Sequence, residues 1–184
     1  MPMNIIYREA ETSDAGKFLE YCKIVGAESD NLTFGAEGLP FTISQTADYI
    51  RKISGNPDGI MILAFDEGEL VASGAVSSVS GRARFAHRKD LAITVRKDYW
   101  GKGVGTGLMK LLIDFCRKNG TEVIELQVRS DNERAIALYN KFGFEKIGTH
   151  KNFFKIGGEY FSADYIAREL YRVISDLKLS FAMI

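Results

Sequence analysis

LAITVRKDYWGKGVGTGLMKLL, Leu91 to Leu112, passes from an apolar, β-branched run (Ile93, Val95) through a glycine-dense turn into an amphipathic helix. Glycines at 101, 103, 105 and 107 let the backbone turn tightly and aim several N–H groups outward at the positive end of a helix dipole. Such a turn is an anion cradle, suited to a phosphate or pyrophosphate. The spacing excludes the two common nucleotide loops. A dinucleotide G-x-G-x-x-G run begun at Gly101 ends on Thr106, and one begun at Gly103 ends on Leu108. A P-loop fails as well, because Lys102 has the wrong neighbours.

A second motif lies downstream. Ser130 to Phe144, SDNERAIALYNKFGF, follows the strand-like VIELQV of Val123 to Val128. Ser130, Asp131 and Asn132 all suit a helix N-cap, and Glu133 suits the first turn. Ala135, Ile136, Leu138, Tyr139 and Phe142 have helical apolar spacing, and Gly143 can end the helix before Phe144 opens the next strand.

Together the two motifs resemble the GNAT N-acetyltransferases from about residue 4 to 168, most strongly over 90–145. Gly103 and Gly105 fill the glycine positions of the family's [QR]-x-x-G-x-G/A turn, while Trp100 replaces its leading Gln or Arg. Asn132, Tyr139, Gly143 and Phe144 match N-x-x-A-x-x-L-Y-x-x-x-G-F. The resemblance implies an acetyl-CoA-dependent enzyme with no metal. The amides of Gly101, Lys102, Gly103, Val104, Gly105 and Thr106 would hold the pyrophosphate. The open backbone of Ile93, Thr94 and Val95 would pair with the pantetheine arm, which Asn132 also contacts. An amide near Ile93 or Thr94 would polarise the thioester carbonyl. Tyr139 would be the general acid, although periodicity alone makes it a core aromatic.

An amine acceptor has a pKa of ~10 and needs a base at neutral pH. Glu28, in the loop after the first helix, leads the candidates; Asp90 is second and Glu125 third. The loop Glu28–Phe41, carrying Asn31, Leu32, Phe34, Leu39 and Phe41, suggests a partly apolar acceptor pocket. The function expected is acetyl transfer to a primary amine of a small molecule by direct attack in a ternary complex. The competing readings are a non-catalytic acyl-CoA sensor and a protein-amine acetyltransferase.

Composition agrees with a single cytoplasmic domain. Lys plus Arg and Asp plus Glu both number 24 in 184 residues, so no global field recruits nucleic acid or an anionic membrane. A local basic cluster, Arg82, Arg84, Arg88, Lys89, Arg96, Lys97 and Lys102, flanks the glycine turn. Cys22 and Cys116 read as buried free thiols in a reducing compartment, and the two histidines form no metal-ligand spacing.

The chain reads as a strand at 4–8, a helix at 13–26 capped by Ser13, and a loop at 27–41. A capping box, Thr42-x-x-Gln45, then opens a helix to Ser54. After a turn at 56–59 comes a hairpin, 59–65 and 70–80, about Asp66-Glu67-Gly68. Strand 91–95, helix 103–118, strand 122–128, helix 132–142 and strands 144–154 and 160–167 complete the domain. This order predicts an α/β (α+β) fold with a mixed, mostly antiparallel sheet of about seven strands and helices on both faces. The domain spans 4–168, and 169–184 is a helical extension read either as a cover for the sheet or as a homodimer contact.

Overall fold

The computed structural model describes residues 3–54, 56 and 58–171. Pro57 and residues 172–184, most of the expected extension, lie outside the described residues. The elements run β1 (Ile6–Glu9), α1 (Ala15–Glu28), α2 (Ile43–Ser54), β2 (Ile60–Asp66), β3 (Glu69–Ser78), β4 (Arg88–Val95), α3 (Val104–Lys118), β5 (Val123–Arg129), α4 (Glu133–Lys141), β6 (Glu145–Ile156) and β7 (Glu159–Glu169). They build one seven-stranded sheet in the order β1-β2-β3-β4-β5-β7-β6. Every neighbouring pair is antiparallel except β4 and β5. This is the architecture that the order of elements predicts.

Two cores flank the sheet, and β2 shows how the sequence divides them. Its side chains alternate with a period of two. Ile62 and Ala64 enter the core under α3 and α4, with Leu108, Leu112, Ile124 and Tyr139. Met61, Leu63 and Phe65 enter the core under α1 and α2, with Phe18, Tyr21 and Ile50. Leu63, Leu108 and Leu112 are fully buried, each stabilising the fold by roughly 1.5–3 kcal/mol. Cys22 and Cys116 are free and buried; burial pushes their thiols up to about 12 and about 11. Among the described residues no helix is long and apolar enough to cross a membrane.

The helices begin where side chains satisfy their first amides. At α2 the capping box is complete: the Thr42 amide donates to Gln45 Oε1 at 2.9 Å, and the Gln45 amide to Thr42 Oγ1 at 3.2 Å. At α1 the expected Ser13 cap is replaced. Thr12–Asp14 forms a 3-10 turn, and the helix starts at Ala15 after Asp14. The Asp14 carboxylate is drawn to the Arg8 guanidinium at 2.6 and 2.7 Å and accepts the Glu11 amide at 2.8 Å, which fixes the turn.

Strand β4 begins at Arg88, three residues before the expected start, because the Arg88 and Lys89 charges are both accommodated within the fold. Lys89, only 1% exposed, donates to Asp58 Oδ1 at 2.9 Å and Ser78 Oγ at 3.3 Å. Arg88 grips the Glu125 carboxylate across to β5. The basic cluster is therefore divided: Arg88 and Lys89 lie at the start of β4, at the opposite end from the glycine turn.

Candidate active site

The parallel pair β4–β5 is the main irregularity of the sheet. It is in register only at Arg88↔Val123, Lys89↔Ile124 and Asp90↔Glu125. Beyond Asp90, β4 pairs only with β3 and β5 only with β7, so the two strands fork. Antiparallel residues alternate in the edge to which they present their backbone groups. Arg96 donates to the Val71 carbonyl on the β3 side at 2.9 Å. By alternation, Leu91, Ile93 and Val95 turn their N–H and C=O groups into the fork, while Thr94 faces Ser73. The Val95 carbonyl is already taken by the Trp100 indole N–H at 2.7 Å. Of the three strand residues predicted to pair with an arm, Ile93 is the one that offers both groups; Thr94 contributes its side chain instead.

The glycine turn leads from the fork into α3. Gly101 and Gly103 have φ of 72° and 86°, a region costly for any residue with a Cβ. Helix α3 starts without a side-chain cap, and the Gly107 amide bonds back to the Gly103 carbonyl at 3.0 Å. The amides of Val104, Gly105 and Thr106 belong to the first helical turn, which has no intrahelical acceptors. They point out of the helix beside the exposed Gly101, Lys102 and Gly103. These are the amides expected to cradle an anion. Lys102 lies over the Tyr99 ring at 5.6 Å, and the Arg134 guanidinium stacks on Trp100 at 4.8 Å. Trp100 thus ties the turn to β4 through a hydrogen bond.

Below the fork, on the α1–α2 face, a cavity of about 500 Å³ runs between α1, α2, the 29–42 loop and β4. Phe18, Phe34, Leu39, Phe41 and Met61 line it, and Ala92, Ile93 and Thr94 form its wall toward the fork. At its base Thr94 Oγ1 meets the Tyr21 hydroxyl at 2.8 Å and Ser73 Oγ at 3.3 Å. Sequence reasoning missed this hydroxyl chain, since its members come from α1, β3 and β4 and share no local pattern. It also missed Tyr49 at the mouth, where spacing on α2 was the only available signal.

The three carboxylates proposed as bases have different surroundings. Glu28 is the last residue of α1, outside the cavity lining; its Oε2 accepts the Lys97 amide at 2.6 Å, and its Oε1 lies 3.8 Å from Arg96 Nε. It fastens α1 to the segment after β4. Glu125 is held by Arg88. Asp90 stands opposite Glu125 at the point of the fork, on the strand face of Ala92 and Thr94, and forms no ion pair among the described residues. Crowding by protein, and secondarily the Glu125 charge, push its carboxyl up to about 6. The Asp90 charge in turn helps raise the Tyr49 hydroxyl, so the carboxylate and the cavity mouth are neighbours.

Helix α4 supplies the other predicted residues. Asn132 is its N-cap, with Oδ1 accepting the Ala135 amide at 3.2 Å, which leaves its side-chain NH₂ available. Tyr139 is buried against Phe144, ring centroids 5.8 Å apart. Burial alone raises its hydroxyl well above the usual tyrosine range, so it keeps its proton at neutral pH.

Comparison with known proteins agrees with this fold. The sequence profile of the acetyltransferase (GNAT) family matches residues 30–144. The chain is 35% identical over 120 residues to the L-amino acid N-acetyltransferase AaaT of Escherichia coli strain K12, covering 64% of this chain and 73% of that one. It is 31% identical over 112 residues to the N-alpha-acetyltransferase RimI of Mycobacterium tuberculosis, covering 61% and 68%. Among solved structures, a GNAT-family acetyltransferase from Streptococcus pneumoniae superposes with a TM-score of 0.87 at 25% identity, over 91% of this chain and 100% of that one. YncA of Salmonella typhimurium, a putative acetyltransferase solved with acetyl-CoA, gives 0.81 at 16% identity over 94% and 97%.

Proposed function

Because the chain belongs to the acetyltransferase (GNAT) family and is an acetyl-CoA-dependent N-acetyltransferase, we propose that it acetylates the primary amine of a small molecule by direct attack at the β4–β5 fork. One observation carries this reading: the Asp90 carboxylate, without an ion-pair partner among the described residues, stands on the strand face of Ala92 and Thr94, which line an open cavity together with Ile93. The turn Gly101–Thr106 fits a pyrophosphate, since its glycines keep Cβ atoms away and its helical amides lack a cap. Acetyl-CoA supplies an activated acyl group as a thioester. The Ile93 amide, turned into the fork, is the donor available to the carbonyl oxygen.

Asp90 takes the proton from the acceptor ammonium, directly or through one water. The amine nitrogen then attacks the carbonyl carbon, a C–N bond forms and the C–S bond breaks. The leaving thiolate receives the Tyr139 proton, and the second proton that the nitrogen sheds as the amide forms restores the Tyr139 hydroxyl. Glu28, engaged by the Lys97 amide, positions α1 and is not assigned a proton-transfer step. The test is thiol release from acetyl-CoA against small amines and short peptides, with Asp90→Asn and Tyr139→Phe in parallel. Turnover of small amines that collapses in both variants supports the reading. Turnover of peptides alone would replace it with a protein-amine acetyltransferase.

A further inference from the structure

The cavity chemistry narrows the acceptor further, taking as its premise that this cavity is the acceptor subsite. None of the fifteen described residues lining it is charged. Most of its polar groups are already engaged. Thr46 Oγ1 donates to the Thr42 carbonyl at 3.0 Å, and Gln45 Oε1 accepts the Thr42 amide. Thr94 Oγ1 hydrogen-bonds to both the Tyr21 hydroxyl and Ser73 Oγ. Of the nearby cations, Arg88 is held by Glu125. Arg96 lies 3.8 Å from Glu28, keeps a buried Nε without a hydrogen-bond partner among the described residues, and is not part of the cavity lining. A carboxylate entering this cavity would lose water without gaining a cation from the lining, and a second ammonium would lose it without gaining an anion from the lining.

Among the described residues, Asp90 stands beside the cavity on the strand face of Ala92 and Thr94, and its charge is negative. A ligand complementary to this arrangement has a single ammonium at one end and a neutral hydrocarbon body at the other. We infer that the acceptor is a primary amine on an uncharged apolar body, aromatic or branched aliphatic, small enough for about 500 Å³. Free amino acids, polyamines and aminoglycosides are excluded from this subsite. The chain then departs in acceptor from the L-amino acid N-acetyltransferase it is similar to.

The experiment compares matched acceptors on the full chain at saturating acetyl-CoA, with free thiol as the readout. The pairs are 2-phenylethylamine with L-phenylalanine and 3-methylbutylamine with L-leucine; spermidine is the multiply charged control. Each amine is expected to exceed its amino acid at least tenfold in kcat/KM, with spermidine lower still. Leu39→Arg, which brings a cation to the cavity from the 29–42 loop, is expected to narrow the first ratio several-fold. Acetyl-CoA affinity, followed by the fluorescence of Trp100, should be unchanged in that variant. Equal or better use of L-phenylalanine or spermidine overturns the inference and leaves the small-amine reading intact. Preference for butyryl-CoA over acetyl-CoA that is lost on filling the cavity with Ala92→Phe would make it an acyl-chain pocket, which also overturns the inference. Tight acetyl-CoA binding with no thiol release for any small amine removes the reading itself.

Discussion

Asp90 and Glu125 face each other across two strands, yet among the described residues only Glu125 has an arginine. That asymmetry gives them different work. Asp90, pushed up to about 6, is a base above that pH and an acid below it, so kcat/KM for amines should fall tenfold per pH unit below about 6. Asp90→Asn should abolish that limb and lower kcat/KM about 100-fold or more. The same substitution should raise stability at pH 7. A carboxyl whose folded pKa lies above its unfolded value favours the protonated state, so its ionisation costs stability as pH rises through that interval. Allowing for screening at its accessible side, the gain is about 1 kcal/mol, measurable by urea unfolding. Tyr139→Phe should cut kcat by at least about tenfold and leave acetyl-CoA affinity within twofold, as read by calorimetry; an undiminished kcat would show that Tyr139 is only a core aromatic. The motif around Asn132 and Tyr139 was legible in the sequence because one helix carries it. Ranking the carboxylates was not, because the Glu28–Lys97 and Arg88–Glu125 contacts join residues remote in the chain.

Two glycines of α3 and its turn show how an element can be specified for different reasons. Gly103 needs its positive φ to aim the helical amides, so Gly103→Ala should cost about 1 kcal/mol and weaken acetyl-CoA binding several-fold. Gly107 is a question of space. A Cβ there would sit 2.3 Å from the Tyr7 hydroxyl, which donates to the Val104 carbonyl at 3.1 Å. Gly107→Ala should cost about 1–3 kcal/mol in thermal or urea unfolding with a smaller effect on acetyl-CoA affinity. The glycine pattern announced both the turn and α3. It could not separate the two requirements, because Tyr7 arrives from β1 at the far edge of the sheet. The charged start of β4 was illegible for a related reason: Lys89 is buried only because Asp58 and Ser78 meet it from outside the strand.

At the scale of the molecule, alternating apolar runs and glycine turns were enough to predict seven strands and helices on both faces, because the pattern extends through every element. They did not reveal where the sheet would divide. Strands β1 to β4 form one antiparallel panel and β5, β7 and β6 another, joined in the sheet by three residue pairs and the Arg88–Glu125 bridge. A ligand arm bonded along Ile93 would lie in the open seam between the panels and act as a rivet. Acetyl-CoA at 100 times its dissociation constant should therefore add about 2.7 kcal/mol of stability. Its mechanical signature is distinct from that of a ligand held only at the glycine turn: amide exchange should slow on both lips of the seam, near Ile93 and near Leu126. The donor substrate would then be the brace that makes two panels one rigid body, and each release of product would hand the enzyme back its hinge.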